Sequence, residues 1–384
     1  MRKVTDFGSP ANGSATLQAF IDAVTQPQVG TPAHSGDLSL EDTPYPNQVW
    51  LLDQTVTISR GAVQLLGAGV GNPANYPSAP GRGTTFKWVG PAGVPMFNVK
   101  DSAHCTFQDI LFLGDNTSPP SSGIFFEEPA GGSGMGTNRH HLVRRCYFGR
   151  WTWTAGGLED GQMDIGLRWG GNNTNNDQYV VEDCVFRHCT QAGIKVESTQ
   201  SIWGCMRNVQ TDNCGVAIDT VAAVNLFNLA CNRSAVADLL LGSSAIAHVR
   251  GLYSEHAALI FRLTSNSSAL FVDGGHVAMQ QEMTGPNWGE HLSVGAAGGV
   301  VLRGLRINNS TGVTKRLYAR GNSSSVAGYV RIEECPHQGP YRMDQWENYD
   351  IQAGTGTGGI VVTIDTGPIC ERQHLLAGAA LSPW

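Results

Sequence analysis

The sequence predicts an all-β solenoid, a single-stranded right-handed parallel β-helix closed by an N-terminal helix and a short C-terminal appendage. Three observations carry this. A degenerate repeat starts near Val180 and returns about every 20 to 23 residues. Its copies align as Val181-Glu182-Asp183-Cys184, Met206-Arg207-Asn208-Val209, Leu226-Phe227-Asn228-Leu229 and Val249-Arg250-Gly251-Leu252. Each copy has a second short apolar stretch, Ile194-Lys195-Val196, Val216-Ala217-Ile218, Ala237-Asp238-Leu239 or Leu259-Ile260-Phe261, with no helical stretch between. Short strands at a fixed period cannot bury their apolar faces alone, so each rung must stack on its neighbours. Composition agrees: Gly is 48 of 384 residues against roughly 7% in average proteins, and charged residues are 15% against roughly 25%.

In chain order, Leu17, Phe20, Ile21 and Val24 fall on one face of a helix, with Asn12 or Ser14 placed to cap it. Strand-like runs follow at Gln48–Leu52, Gln54–Ile58, Gln64–Leu66 and Thr84–Trp88. Three stretches, about 115–138 with Glu127-Glu128, 151–177 and 280–291, read as loop excursions from the solenoid's edge, where solenoids carry binding function. The repeat fades after Cys335. This divides the chain into an opening segment and capping helix (1–47), the β-helix (48–335) and a tail or cap (336–384), whose Gly359–Ile364 run suits a capping or intersubunit strand.

Asp6-Phe7-Gly8, Asn12-Gly13, the Leu17–Val24 helix, Gly67-Ala68-Gly69 and Thr84-Thr85-Phe86 together resemble the opening of the pectate-lyase-like β-helix superfamily, in the branch found in bacteriophage tail spikes and related surface proteins. The acidic pair that usually precedes the helix in that branch is Ser14-Ala15-Thr16 here. The resemblance implies a virion protein, a tail spike, minor tail or capsid decoration protein, forming a homotrimer with other virion proteins as partners and able to contact a host surface polysaccharide. Its alternative is a polysaccharide depolymerase working along a lateral groove. The polygalacturonase signature runs and the pectate-lyase calcium acids have no match in this sequence.

A net charge of −7 with no basic run gives no footprint for nucleic acid. No apolar run reaches a membrane span and the N-terminus has no signal-peptide core, so the expectation is a protein made in a host cytoplasm, without membrane insertion. The cysteines number nine; Cys105, Cys146, Cys184 and Val209 are read as comparable inward rung positions, which favours free buried thiols. His140-His141 and the Cys184/Cys189 pair lack zinc spacing, so neither metal nor cofactor is expected. Histidines beside acids, at Arg187-His188, Glu255-His256 and Asp273-Gly274-Gly275-His276, suit structural turns as well as acid/base work.

Rungs about 4.8 Å apart set acids on adjacent rungs near the roughly 5 to 5.5 Å of a retaining glycosidase pair, and acids two rungs apart near the roughly 6.5 to 9.5 Å of an inverting pair. Glu197 and Asp219, with Asp238 and Lys195 in the next row, form the candidate catalytic cluster; a solvated sheet flank would use the same residues. Trp151, Trp153 and Trp169 with Glu159, Asp160, Asp164 and Arg168 form the candidate glycan-binding loop, since indole faces stack on sugar rings. The same tryptophans would also suit packing against the solenoid or a neighbouring subunit.

Overall fold

A computed structural model describes residues 7–25, 36–39, 47–59, 62–70, 83–128, 139–150, 161–171, 176–265, 267–279, 290–294, 299–309, 319–320, 329–333, 335, 337–338, 351–352 and 361–365. It is a parallel β-helix with one short helix at its start. The chain forms two compact units, residues 1–210 and 211–384. No helix among the described residues is long and apolar enough to cross a membrane.

In the first unit the helix Gly13–Thr25 buries Leu17, Phe20 and Ile21, as the helical periodicity predicts. Ser14 does not cap it. The Ser14 hydroxyl instead donates to the carbonyl of Gln54 (3.0 Å) and accepts from the amides of Asp53 and Gln54. One turn on, the Gln18 side-chain amide donates to the Thr57 carbonyl (2.9 Å) and accepts from the Thr57 amide (2.7 Å). Gln18 thus satisfies backbone groups of the Val56–Ser59 strand as a neighbouring strand would, covering an edge that otherwise invites pairing with another chain.

One sheet of this unit stacks the strands Val56–Ser59, Pro95–Lys100, Ser122–Glu128, Met163–Gly171 and Cys189–Val196 in parallel. Two of these correct the expected excursions: Ser122–Glu128 and Met163–Gly171 are rung strands, not loop. The other faces of the rungs carry short strands in register, among them Val181 opposite Met206 as the repeat predicts. Rungs also begin earlier than residue 48, because Gly36–Ser39 pairs with Val63–Leu66.

Corners turn through left-handed residues. Asp109, Arg145, Asp183 and Asn208 all have φ between 48° and 59°. Their side chains form a ladder, with Arg145 donating to both Asp109 oxygens and Asn208 Nδ2 donating to Asp183 (2.8 Å). Side-chain hydrogen bonds thus link these corners from one rung to the next. Cysteine follows several such corners: Cys146 follows Arg145 and Cys184 follows Asp183, one above the other. Cys105 belongs to a different row, following His104 and sharing its level with His141, because Thr106 pairs with Leu142. Inside, Phe112, Phe148 and Phe186 stack at 4.7 and 4.8 Å. Gly166 makes room for that column, since a Cβ there would lie 2.4 Å from the Phe186 ring.

In the second unit the registers Leu226 to Val249, Ala237 to Val216 and Leu239 to Phe261 match the aligned copies. The long strands Val224–Asn232, Ile246–Glu255, Ala269–Met279 and Gly299–Asn309 pair in parallel, bending at Asn228, Gly251, Gly274 and Gly304, all with φ between 53° and 73°. The repeat does not end at Cys335: Val361–Asp365 pairs in parallel with Tyr329–Glu333 and adds a further rung.

Cys105, Cys146, Cys184, Cys189, Cys214, Cys231 and Cys335 are buried thiols, and burial raises those of Cys146, Cys231, Cys335 and Cys105, the last to about 11. A thiol reacts as thiolate. These seven are expected to resist a disulfide reagent in the native protein and to react on denaturation; labelling of native Cys146 or Cys184, read by mass spectrometry, would contradict the packing.

Candidate functional site

The outward face of the first unit's stacked sheet gathers its chemistry into two rows. Strand alternation sends Val56, Ile58, Phe97, Val99, Ile124, Phe126, Leu167 and Trp169 inward, where they are fully buried. The residues between them face out. Register places Thr57, Asn98, Phe125, Arg168 and Lys195 in one row, and Ser59, Lys100, Glu127 and Gly170 in the next. Glu197 completes the second row: its amide donates to the Trp169 carbonyl (2.8 Å), and its side chain leans over Gly170.

Two carboxylates thus flank a glycine. Glu127 Oε2 accepts from Asn98 Nδ2 (2.8 Å) and pairs with Lys100 Nζ (2.8 Å). Glu197 Oε2 pairs with Arg168 Nε (2.9 Å), and its Oε1 with Lys195 Nζ (3.1 Å). The Arg168 guanidinium lies over the Phe125 ring, 4.5 Å from its centroid, which fixes its plane. Partial burial disfavours the charge on Glu127, but hydrogen bonds from Lys100 and Asn98 and the charges of Lys100 and Arg168 outweigh it and hold its carboxyl below the ordinary glutamate value. Such a group accepts hydrogen bonds or a proton; it is ill-suited to donate one at neutral pH. With one rung between them, the Glu127 and Glu197 backbones stand about 9.6 Å apart, twice the strand spacing.

These ion pairs are half-buried, so a ligand that displaces one must itself supply hydrogen bonds to the carboxylate. Gly170 adds no side chain between the carboxylates, and it is buried with the Glu197 carboxylate over it.

The expected site residues scatter. Glu197 and Arg168 come together as described, and Asp164 accepts a hydrogen bond from Thr190 (2.8 Å) on the next rung. Trp169 is a correction: it is fully buried and stacks between Phe126 (5.0 Å) and Tyr179 (4.4 Å), so no sugar can reach its face. Asp219 faces out in the second unit, with Leu240 and then Arg262 beside it on the following rungs. Asp238 is a second correction. It shares a level with Ala217, is fully buried, and accepts a hydrogen bond from the inward Ser254 hydroxyl; it does not join an outward row. Trp151, Trp153, Glu159 and Asp160 lie outside the described residues. Glu127, Phe125, Asn98, Lys100 and Gly170 were not singled out from sequence as a site. Among the described residues, no group of three or more His, Cys, Asp or Glu could hold a metal ion.

No protein family and no curated protein matches the chain. Among solved structures it is similar to a DFA-IIIase from Arthrobacter chlorophenolicus A6 in complex with GF2, at 14% identity and a TM-score of 0.48, over 94% of this chain and 91% of that one. It is also similar to PfbA, a surface adhesin of Streptococcus pneumoniae (12% identity, TM-score 0.38, 87% of each chain). A third is ORF18 of Geobacillus virus E2 (12% identity, TM-score 0.39, 94% of this chain and 61% of that one). Likeness at this level says nothing of what this chain binds.

Proposed function

We propose that the protein is a glycan-binding β-helix of a bacteriophage virion, a tail or decoration component whose polysaccharide track is the outward face around Gly170. The observation that carries the reading is the pair of rows itself: Lys100, Glu127 and Glu197 supply hydrogen-bonding heads, Phe125 and Arg168 supply flat faces, and Gly170 puts no side chain of its own between the two carboxylates. A sugar ring presents an apolar face and a rim of hydroxyls, and this surface offers both kinds of partner. The virion setting, the homotrimer and the association with other virion proteins are supported by the resemblance of the opening segment to phage β-helix proteins.

The second reading, a depolymerase, is favoured by one feature, the two-rung separation of Glu127 and Glu197, which lies near the upper end of the inverting range of roughly 6.5 to 9.5 Å. The depressed Glu127 suits the base of such a pair.

Incubation of the full chain with a panel of bacterial surface polysaccharides tests both, with binding read by co-elution and polymer length by gel filtration. Binding without shortening is expected, weakened roughly tenfold by Arg168→Ala, the worth of one charge-assisted hydrogen bond. Shortening that Glu127→Gln or Glu197→Gln abolishes would establish the second reading, and absence of binding to any polymer would overturn the first.

A further inference from the structure

One corner of the first unit carries an unusual column. His104, His140, Gln178 and Trp203 each have a left-handed backbone, with φ of 59°, 57°, 59° and 58°. They stand one per rung, because the amide of His104 donates to Arg139, that of His140 to Asp177 and that of Gln178 to Ile202, each acceptor immediately preceding the next corner residue. The His104 and His140 rings stack at 4.7 Å with only 4° between their planes. The stretch leading to Trp203 is pinned, since the Ile202 amide donates to the Asp177 carboxylate (3.1 Å).

Trp203 does not fit a purely structural account. Left-handed geometry is natural for Gly and tolerable for Asn, Asp or His, but costly for a bulky aromatic. Burial would offset that cost, yet Trp203 is 62% exposed, the most exposed large apolar side chain among the described residues. Strain held at an exposed aromatic is the kind of outlier from which a binding role is inferred.

We propose that Trp203, with Gln178 on the neighbouring rung, is a stacking platform for one pyranose ring of a glycan. The indole would take the apolar face of the ring and the Gln178 amide its hydroxyls, while the His140 imidazole, two rungs or about 9.6 Å away, would meet the next sugar of the chain. A protein partner is the less suited occupant. Interface cores are contiguous and apolar, whereas the neighbours of Trp203 in this column are polar, and Val89 is the only other exposed large apolar residue among those described in the first unit. Along the chain the platform follows closely on the proposed track. The chain passes from Glu197 to Trp203 in six residues, and from Lys100 to His104 in four. The inference rests on the glycan-binding reading and extends it from the sheet face to this corner.

The test uses the full chain and the same panel of bacterial surface polysaccharides, with affinity, oligomeric mass and thermal unfolding measured for Trp203→Asn, Trp203→Phe and Arg168→Ala. Asn accepts the left-handed backbone, so Trp203→Asn is expected to unfold no earlier than the parent while binding roughly five- to tenfold more weakly. Trp203→Phe, which keeps a ring, should retain most of the affinity. Unchanged affinity in Trp203→Asn, with Arg168→Ala weakened, would overturn the platform and leave the track standing. Loss of the oligomer in Trp203→Asn at unchanged affinity would also overturn it, assigning the tryptophan to a protein contact. Failure of the parent chain to bind any polymer would overturn platform and track together.

Discussion

Replacing Trp169 with alanine is expected to destabilise the first unit by about 3 to 5 kcal/mol, the range for deleting a large aromatic from a core that cannot collapse around the space. The indole is one member of a continuous column, with Phe126 on one side and Tyr179 on the other, and Phe126 in turn stacked on His141 at 4.6 Å. Neighbouring rungs share these contacts, so the cavity would not be closed by one side chain moving. For a unit of this size the thermal midpoint should fall by about 6 to 20 °C, measured by calorimetry or circular dichroism. Trp169→Phe should lose much less, because it keeps a ring in the column. A loss below about 1 kcal/mol in Trp169→Ala would contradict the packing and reopen a surface role for this residue.

The second large effect is a pH dependence set by Asp238. Burial without a cationic partner raises its carboxyl from 3.8 to about 7, partly offset by the hydroxyls of Ser234 and Ser254. The folded state therefore keeps a proton that the unfolded chain gives up above its own pKa. The stabilisation is complete below the unfolded value of 3.8 and is lost as the pH rises through about 7. Between those limits stability should decline by up to roughly 1.4 kcal/mol per pH unit from this group. Asp238→Asn, which keeps the shape and a polar group for Ser254 without a charge, should flatten that slope and unfold later than the parent at about pH 8. Thermal unfolding followed across this range checks the claim; an identical slope in parent and variant would show that the carboxylate is not buried as described.

Much of the fold was legible in the sequence because a stacked rung repeats its constraints. The inward positions Val181, Met206, Leu226 and Val249 recur, and their registers came out as aligned. The helix was legible from its period, and its docking onto the Val56–Ser59 strand through Gln18 was not, since a side chain imitating a strand edge leaves no periodic trace. The strand carrying Glu127 was hidden by the prolines and glycines around it. Gly123 reads as a turn residue until the Phe148 ring is seen to pass close to it. Trp169 could have been placed correctly, because Met163, Ile165, Leu167 and Trp169 alternate with Asp164, Gly166 and Arg168, the mark of a half-buried strand. The aromatic richness of the surrounding segment masked that period. Asp238 defeats alternation altogether: it stands within the strand Ala237–Leu241, where Ala237, Asp238 and Leu239 are all fully buried. The candidate site was legible only in Glu197, Arg168 and Lys195. Its other half depends on which rung follows which across a long insertion, information that a single sequence does not carry.

The measurement that tests the glycan track most directly is the affinity of Gly170→Val for whichever surface polysaccharide the parent chain binds. Valine suits a strand, and the nearest atoms to a Cβ at this position are the carboxylate end of Glu197 (2.5 Å), the Phe125 ring (3.4 Å) and Glu197 Cβ (3.5 Å), so the Glu197 side chain would swing aside and the fold should survive. Its branched side chain would stand between Glu127 and Glu197 and push the Glu197 carboxylate off Gly170. A loss of binding of roughly tenfold or more, with an unchanged thermal midpoint, is the predicted result. Undiminished affinity in a variant that folds as the parent does would show that no sugar lies over Gly170.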